Sequence, residues 1–278
     1  MQIMKSADVL SALTSRTGAI AGTAALIALG LVTGFTATAQ STEQTSAGTA
    51  TSQVFTPEQR QSIEQIVKDY LLQHPEVMVD VGKELERRQT AMQADEHKRF
   101  IGEKRATIFA SSSDFVLGNP KADVTVVEFF DYNCAWCKKA VDELTKLTKA
   151  EPNIRVVFKE FPIFGEASTL AAKAAMASIK QGKYWDFHQA LMKEKQVTKE
   201  SLFKVAEKVG LDVTRLKADM NDPSYEAAIK STTELAQGLG IEGTPGFIVD
   251  AKVNVGYVPA DGLQQMIAEI RKSGCQVC

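Results

Sequence analysis

The chain has 278 residues, of which 44% are hydrophobic and 24% are charged, and its formal net charge is −2. This composition is typical of a globular protein, and the near-neutral charge argues against a nucleic-acid-binding protein. Four cysteines are too few for a disulfide scaffold in a chain of this length.

Residues 1–39 have the pattern of a secretory signal peptide. Lys5 and Arg16 precede a long, mostly apolar run, and the tripeptide ending at Ala39 gives a small-x-small cleavage pattern. An uncleaved membrane anchor is the alternative, because no charge lies between Arg16 and Glu43. Export is expected to place the protein in the periplasm, where disulfides persist.

Residues 40–54 are rich in Ser, Thr, Ala and Gly and are predicted to form a flexible linker. A helix is then predicted from Thr56, a good N-cap, with Pro57 at the first helical position and Gln59 completing a capping box. A break at Pro75 separates it from a second, charged helical stretch that runs to about residue 106.

The apolar stripes of these two helices are too narrow to be buried by the helices alone. Residues 55–106 are therefore predicted to associate with copies of themselves, as a stalk or coiled bundle. The alternative, which the sequence supports equally well, is a helical cap folded back onto the core.

Residues 107–273 are predicted to form an α/β domain. Strands are expected in residues 106–122 and in VTVVEFF, followed by a helix that runs to about Ala150 and by the strand IRVVFKEF. The strand–helix–strand unit from Val124 to Phe161 implies parallel strands. A helical insertion at about 165–240, a hairpin after GTPGF and a last helix closed by Gly274 complete the domain.

Cys134 and Cys137 form a CxxC pair at the junction between a strand and a helix. The unpaired N–H groups and the dipole of the first helical turn stabilise a thiolate there. Cys134 is therefore the predicted nucleophile, expected to be exposed, and the more covered Cys137 is expected to resolve a mixed disulfide. A zinc site shared with Cys275 and Cys278 and a purely structural disulfide are the alternatives.

The motifs EFFDYNCAWC and GTPGF, with the helical insertion between them, resemble the DsbA/DsbC/DsbG group of thioredoxin-fold proteins. The segment TPEQRQSIEQIVKDYLLQHPEV resembles the suppressor-of-copper-sensitivity, ScsC-like proteins. The resemblance implies a thioredoxin fold with a helical insertion, preceded by amphipathic helices. It also implies thiol–disulfide exchange with protein disulfides.

The resemblance extends to individual residues. Thr244-Pro245 matches the loop whose proline is cis and faces the CxxC pair, where a substrate chain can pair by strand addition. Glu128 matches a strand acid that helps to move the proton of the second cysteine, although a surface glutamate on an edge strand is an equal alternative. Trp136 is predicted to belong to an exposed apolar patch that binds unfolded clients.

The residues between the cysteines depart from the strongly oxidising members of the family, which carry a histidine there. Ala135-Trp136 supplies no cation, so a less depressed pKa of Cys134 and a less oxidising pair are expected. The predicted function is that of an oligomeric isomerase or reductase, with misfolded exported proteins as clients and a membrane thiol redox partner. A monomeric disulfide oxidase and a copper-binding or copper-tolerance factor are the alternatives.

A second pair, Cys275 and Cys278, lies in the tail 274–278 and has no counterpart in the family pattern. A helix from Asp261 to Ser273 would carry Cys275 about 18 Å from the point where that helix starts. A direct relay to Cys134 within one subunit is therefore disfavoured. A tail disulfide is the first expectation, with a metal or relay role second, and no cofactor is expected beyond the redox pair, although copper remains a candidate.

Overall fold

The computed structural model describes residues 55–277, which divide into two units. The first unit ends at Ile63 and the second begins at Glu64. The predicted signal peptide, the linker and Cys278 lie outside the described residues, so the expectations for them stay predictions. Within residues 55–277, no helix is both long enough and apolar enough to cross a membrane.

The described part of the first unit contains the start of helix α1 (Pro57–Gln73). The backbone N–H of Thr56 donates to Oε1 of Gln59 at 2.9 Å, and the N–H of Gln59 donates to Oγ1 of Thr56 at 3.3 Å. These two reciprocal bonds are the predicted capping box.

The second unit continues with helix α2 (Glu76–Glu103), which begins directly after Pro75. Ile101 is the only buried residue of α2. A series of apolar side chains on α1 and α2 instead remains exposed to solvent, namely Ile66, Val67, Tyr70, Leu72, Met78, Val79, Val81, Leu85 and Met92. A cap folded back onto the core would bury these residues, so that alternative does not hold for residues 66–92.

The strand predicted in residues 106–122 is partly wrong. Residues Arg105–Phe109 form a short helix α3, and only Phe115–Gly118 form strand β1. The helical hydrogen-bond pattern continues past α2, with the N–H of Ile108 donating to the oxygen of Lys104. The side chains of Ile108 and Phe109 on this helix are buried. A short apolar run buries equally well as a helical turn or as a strand, and periodicity does not separate the two.

The central sheet has five strands in the order β1-β3-β2-β4-β5. The remaining strands are β2 (Val124–Phe130), β3 (Ile154–Glu160), β4 (Gly246–Val249) and β5 (Lys252–Val255). Strands β2 and β3 are parallel and are connected by helix α4 (Ala135–Ala150), whereas β4 and β5 form an antiparallel hairpin. Both arrangements confirm the predictions.

The helical insertion and the last helix also lie where they were predicted. They comprise α5 (Glu166–Ser178), α6 (Tyr184–Lys193), α7 (Lys199–Lys208), α8 (Val213–Asp219), α9 (Pro223–Gly238) and α10 (Ala260–Ser273). Gly274 closes α10 with a φ of 81°.

Strand β2 separates two apolar clusters. Val126 and Phe130 belong to the cluster that includes α4 and α10, and Val127 and Phe129 belong to the cluster that includes α3 and the end of α9. Successive residues of a strand face opposite sides of its sheet, so Glu128 faces the α4 side. Because β2 is the middle strand and Glu128 is 1% exposed, the alternative of a surface glutamate on an edge strand is wrong.

Candidate active site

Cys134 is the N-cap residue of α4, and Cys137 lies in the first turn of that helix. The backbone N–H of Cys137 donates to Sγ of Cys134 at 3.3 Å. The backbone N–H of Cys134 in turn donates to the oxygen of Asp131 at 3.1 Å. Both cysteines are free thiols in this structure. The strand-to-helix turn therefore aims an unpaired helical N–H at one sulfur, as the sequence predicted.

The two thiols have opposite pKa shifts. The pKa of Cys134 is lowered to about 6, first by a hydrogen bond from the Cys137 thiol and further by the nearby Thr244 side chain and the first-turn N–H groups, against the opposing effect of burial. The pKa of Cys137 is raised, first by burial and then by its bond to Cys134 and the charge of Glu128. At neutral pH, Cys134 is thus the thiolate and Cys137 the thiol.

The sulfur of Cys134 is less accessible than expected. Cys134 is 4% exposed and Cys137 is fully buried, so only the order of the two exposures follows the prediction. The carbonyl oxygen of Thr244 accounts for part of the difference, because it lies 3.1 Å from Sγ of Cys134 and accepts a hydrogen bond from the sulfur when Cys134 is protonated.

The loop that covers Cys134 contains a cis peptide bond between Thr244 and Pro245, as the resemblance implied. The oxygen of Pro245 accepts a hydrogen bond from the N–H of Gly256 at 2.8 Å, which ties the loop to the end of β5. Oγ1 of Thr244 is buried and has no hydrogen-bond partner among the described residues. Its hydroxyl is therefore available to the Cys134 thiolate.

Glu128 is buried on the same side of the sheet as the cysteines. Neither of its carboxyl oxygens has a hydrogen-bond partner within the described part of the chain. Burial raises the pKa of Glu128 to about 8, and the negative charge of Cys134 contributes to the rise. An orphaned, protonated carboxyl beside two thiols is equipped to exchange a proton with one of them.

Trp136 lies between the cysteines and is 52% exposed. Its ring centroid lies 5.4 Å from that of Tyr257, and Nζ of Lys139 lies 4.3 Å from the Trp136 ring centroid. Ile163 and Phe164, in the loop after β3, are also exposed apolar residues. Trp136 is thus placed as the predicted client patch requires, and its role stays a prediction.

Asp131 connects the CxxC turn to its surroundings and was not predicted from the sequence. One carboxylate oxygen accepts the backbone N–H groups of Ile163 and Phe164, at 2.7 and 3.0 Å. The other oxygen accepts from Oγ of Ser168 and from the N–H of Asn133, both at 2.7 Å. Its position, directly after an apolar strand and shortly before the CxxC pair, is the feature of the sequence from which a role for Asp131 could have been predicted.

A second buried network was also missed. The hydroxyls of Tyr132 and Tyr184 donate to Oε1 of Glu160, at 3.1 and 2.9 Å, and Oη of Tyr132 lies 3.0 Å from Nδ1 of His188. Burial raises the pKa of Glu160 well above its usual value and lowers the pKa of His188 to about 3. These side chains hold Tyr132, two residues before Cys134, against the helical insertion. Nothing in the spacing of the four residues indicates that they meet.

The terminal cysteine pair differs from the first one. Cys275 is disulfide-bonded, and its Sγ lies 3.0 Å from Oδ1 of Asp250. The carboxylate of Asp250 also accepts the N–H groups of Gln276 and Val277, while Nε of Arg105 donates to the oxygen of Val277 at 3.0 Å. The tail is therefore fastened to the turn between β4 and β5 and to the start of α3.

The zinc alternative is not supported by this arrangement. A disulfide-bonded Cys275 does not supply a thiolate ligand, and Cys134 and Cys137 are free. In residues 55–277, no group of three or more His, Cys, Asp or Glu side chains is suitably placed to hold a metal ion.

Two family profiles match the chain. The profile of the DSBA-like thioredoxin domain matches residues 125–268. The profile of the copper resistance protein ScsC N-terminal domain matches residues 59–91. The first match contains the CxxC pair and the cis-proline loop, and the second lies on α1 and α2.

Solved structures and sequence relatives agree with these profiles. A thioredoxin-like oxidoreductase from Silicibacter pomeroyi is 44% identical and covers 60% of this chain and 98% of its own, with a TM-score of 0.59. BcfH from Salmonella enterica Typhimurium is 32% identical, with coverages of 76% and 96% and a TM-score of 0.64. The probable disulfide bond formation protein D of Bacillus anthracis is 29% identical over 185 residues, which are 61% of this chain and 84% of that protein.

The chain also matches part of some larger proteins. The Na(+)/H(+) antiporter NhaA 3 of Salinispora tropica is 29% identical over 157 residues, or 55% of this chain. The match spans only 24% of the length of that antiporter.

Proposed function

This chain belongs to the family of DSBA-like thioredoxin domains, and on that premise we propose that it is a periplasmic thiol–disulfide oxidoreductase acting on protein disulfides. The observation that carries the proposal is the position of the Cys134 sulfur. It receives the N–H of Cys137 and lies beside a cis Thr244–Pro245 bond. A sulfur held as a thiolate next to the cis-proline loop is suited to attack a disulfide in a chain that docks there.

The exchange proceeds in two balanced steps. The Cys134 thiolate attacks one sulfur of a client disulfide, so that the client S–S bond breaks, a mixed disulfide forms and the other client sulfur leaves as a thiolate that takes up a proton. Cys137 then loses its proton to Glu128 and attacks Cys134, which releases the second client thiol and leaves a Cys134–Cys137 disulfide. In an isomerisation, another client thiolate attacks the client sulfur of the mixed disulfide, which forms a new client disulfide and releases Cys134 as a thiolate, so that the reduced enzyme is restored.

The direction of exchange follows from thiolate stabilisation. The pKa of Cys134, about 6, lies between the values of about 7 in thioredoxin and about 3.5 in the strongly oxidising DsbA. This position supports an isomerase or reductase rather than a strong oxidant. A membrane thiol partner would keep the pair reduced.

The test is an equilibrium redox titration of the Cys134–Cys137 pair, combined with refolding of a protein with scrambled disulfides. We expect an intermediate potential and recovery of the native client, with Cys137→Ser trapping the mixed disulfide. A strongly oxidising potential without recovery of the client would contradict the proposal.

We further propose that residues 55–106 join copies of the chain into a homo-oligomer. The exposed apolar residues of α1 and α2 support it, and so does the ScsC N-terminal profile that matches this segment. Light scattering on the full chain tests it with Val81→Glu and Leu85→Glu, which add charge to the apolar stripe. Thr90→Glu adds the same charge on the opposite side of α2 and is the control. We expect a smaller particle mass than wild type for the first two variants only. A monomeric wild-type protein would contradict the proposal.

A copper-binding or copper-tolerance role is the second candidate, supported by the description of the ScsC profile. Thiolates favour Cu(I), and the reduced Cys134–Cys137 pair offers two sulfurs in one helical turn. Titration of the reduced protein with Cu(I) separates the sites. Binding that is lost in Cys134→Ser but retained in Cys275→Ser would assign copper to the first pair, and unchanged binding in both would reject a cysteine site.

A further inference from the structure

Asn133, the residue before Cys134, pairs with the backbone of the loop between α6 and α7. Its Oδ1 accepts the N–H of Val197 at 2.8 Å, and its Nδ2 donates to the oxygen of the same residue at 3.2 Å. The Asn133 side chain thus satisfies both backbone groups of Val197, as a neighbouring strand would. Val197 is fully buried, so these two groups have lost the alternative of bonding to water.

Lys138, the residue after Cys137, holds the same loop from the other side of the CxxC pair. Its Nζ donates to the oxygen of Glu194 at 2.6 Å and to the oxygen of Lys195 at 2.9 Å. Helix α6 ends at Lys193, so these carbonyls lie directly after its C-terminus. Carbonyl groups at a helix C-terminus lack partners within the helix, and a nearby positive charge interacts favourably with them.

We propose that Asn133 and Lys138 are positioning residues for the exchange reaction. Their four hydrogen bonds, here called the turn clamp, fix both ends of the CxxC turn to residues 194–197. The clamp thereby holds the N–H of Cys137 on the sulfur of Cys134. The inference rests on the proposed thiol–disulfide exchange and adds to it the residues that set the geometry of the nucleophile.

The clamp acts through geometry, in addition to the electrostatic attraction between the Lys138 ammonium group and the Cys134 thiolate. The groups that lower the pKa of Cys134 belong to Cys137, Thr244 and Trp136, and their distances from the sulfur depend on how the first turn of α4 is oriented. The ammonium group of Lys138 is directed at two carbonyl oxygens of another loop. Lys139 carries the same charge one residue further along, makes no hydrogen bond to residues 194–197 and lies over Trp136 instead.

The test measures the thiolate titration of Cys134 in the reduced full chain by ultraviolet absorbance, together with its rate of reaction with glutathione disulfide. We expect Lys138→Met and Asn133→Ala each to raise the titration midpoint by about one pH unit, because one hydrogen bond to the sulfur weakens. Attack on glutathione disulfide at pH 6 should slow in parallel. Lys138→Arg retains donors for the two carbonyls and should restore most of the wild-type midpoint.

Lys139→Met is the matched control, since it removes an equal charge without touching the clamp, and its midpoint should stay near the wild-type value. Equal shifts in Lys139→Met and Lys138→Met, or a Lys138→Met shift that disappears at high salt, would overturn the proposal in favour of a simple charge effect, because salt screens charges and does not restore a hydrogen bond. Wild-type midpoints in both Lys138→Met and Asn133→Ala would overturn it outright. Lys138→Met removes only the end of a partly buried side chain, so the result does not depend on the folding of Asn133→Ala.

Failure of the clamp is distinguishable from failure of the proposed function. If the wild-type protein exchanges disulfides and the variant midpoints do not move, only the clamp is wrong. If the wild-type protein exchanges no protein disulfide while the midpoints shift as expected, the clamp stands and the proposed function is wrong.

Discussion

At the scale of single residues, Glu128 and Cys134 share a site in which only one of them is charged at neutral pH. The pKa of Cys134 is about 6 and that of Glu128 about 8, so the negative charge is on the sulfur and the proton on the carboxyl. A mixed disulfide removes the charge from Cys134 and thereby lowers the pKa of Glu128. Glu128 becomes a proton acceptor at the step in which Cys137 has to lose its proton.

Glu128→Gln provides a pH-dependent test of this assignment. Folding raises the pKa of Glu128 from 4.5 to about 8, so its favourable contribution is complete below pH 4.5 and is lost as the pH rises through 8. Glutamine does not titrate. The free energy of unfolding of Glu128→Gln relative to wild type should therefore increase between these pH values, by about 4 kcal/mol in total.

Urea unfolding of the reduced proteins at a series of pH values measures this difference. Cys134 titrates in both proteins, so its contribution largely cancels. A difference that is constant from pH 4.5 to pH 8 would show that Glu128 is ionised in the fold. Resolution of the mixed disulfide should also slow in Glu128→Gln, by at least about 100-fold if the carboxyl is the general base.

At the scale of elements, the sequence predicts what depends on local patterns. The strand before Cys134, the helix after it and the hairpin after Pro245 all have a recognisable period or turn, and all were predicted. Residues 105–109 were not, because five residues carry no period and the helix there continues from α2. The clamp partner of Asn133 lies 64 residues away along the chain and those of Lys138 lie 56 and 57 away, so no local pattern identifies them.

The contact between α2 and α9 depends on a glycine. The ring of Phe100 lies against Gly238, and a Cβ atom added there would overlap the ring. We expect Gly238→Ala to lower the free energy of unfolding by about 1–3 kcal/mol, the usual cost of overpacking. Gly102→Ala is the matched control, because a Cβ atom added there meets nothing within 4 Å. It should stabilise α2 by about 0.5–1 kcal/mol.

Thermal and urea unfolding of both variants test the expectation, and a double variant assigns the cause. When Phe100→Ala is also present, the additional cost of Gly238→Ala should disappear, because the overlap is with that ring. A Gly238→Ala protein as stable as wild type would mean that α2 moves freely away from α9.

At the scale of the whole molecule, Cys134 and Cys275 lie near opposite ends of one strand. Pro245 precedes β4 and lies beside Cys134, whereas Asp250 follows β4 and holds the tail. Five residues of extended chain span about 16 Å. The Cys134–Cys137 pair is therefore expected to bind clients at the start of β4. At the other end of β4 the tail is connected to α3 through Arg105.

This separation predicts that the tail does not set the redox properties of the active site. Cys275→Ser should leave the reduction potential of the Cys134–Cys137 pair unchanged, because no tail contact reaches Cys134, Cys137 or the Thr244–Pro245 loop among the described residues. Asp250→Ala should instead speed hydrogen exchange at Gln276 and Val277, whose N–H groups lose their acceptor, again without a change in potential. Redox titration of the active-site pair and hydrogen-exchange mass spectrometry measure the two effects. A shift of about 30 mV in either variant, a tenfold change in the equilibrium constant, would show that the tail communicates with Cys134.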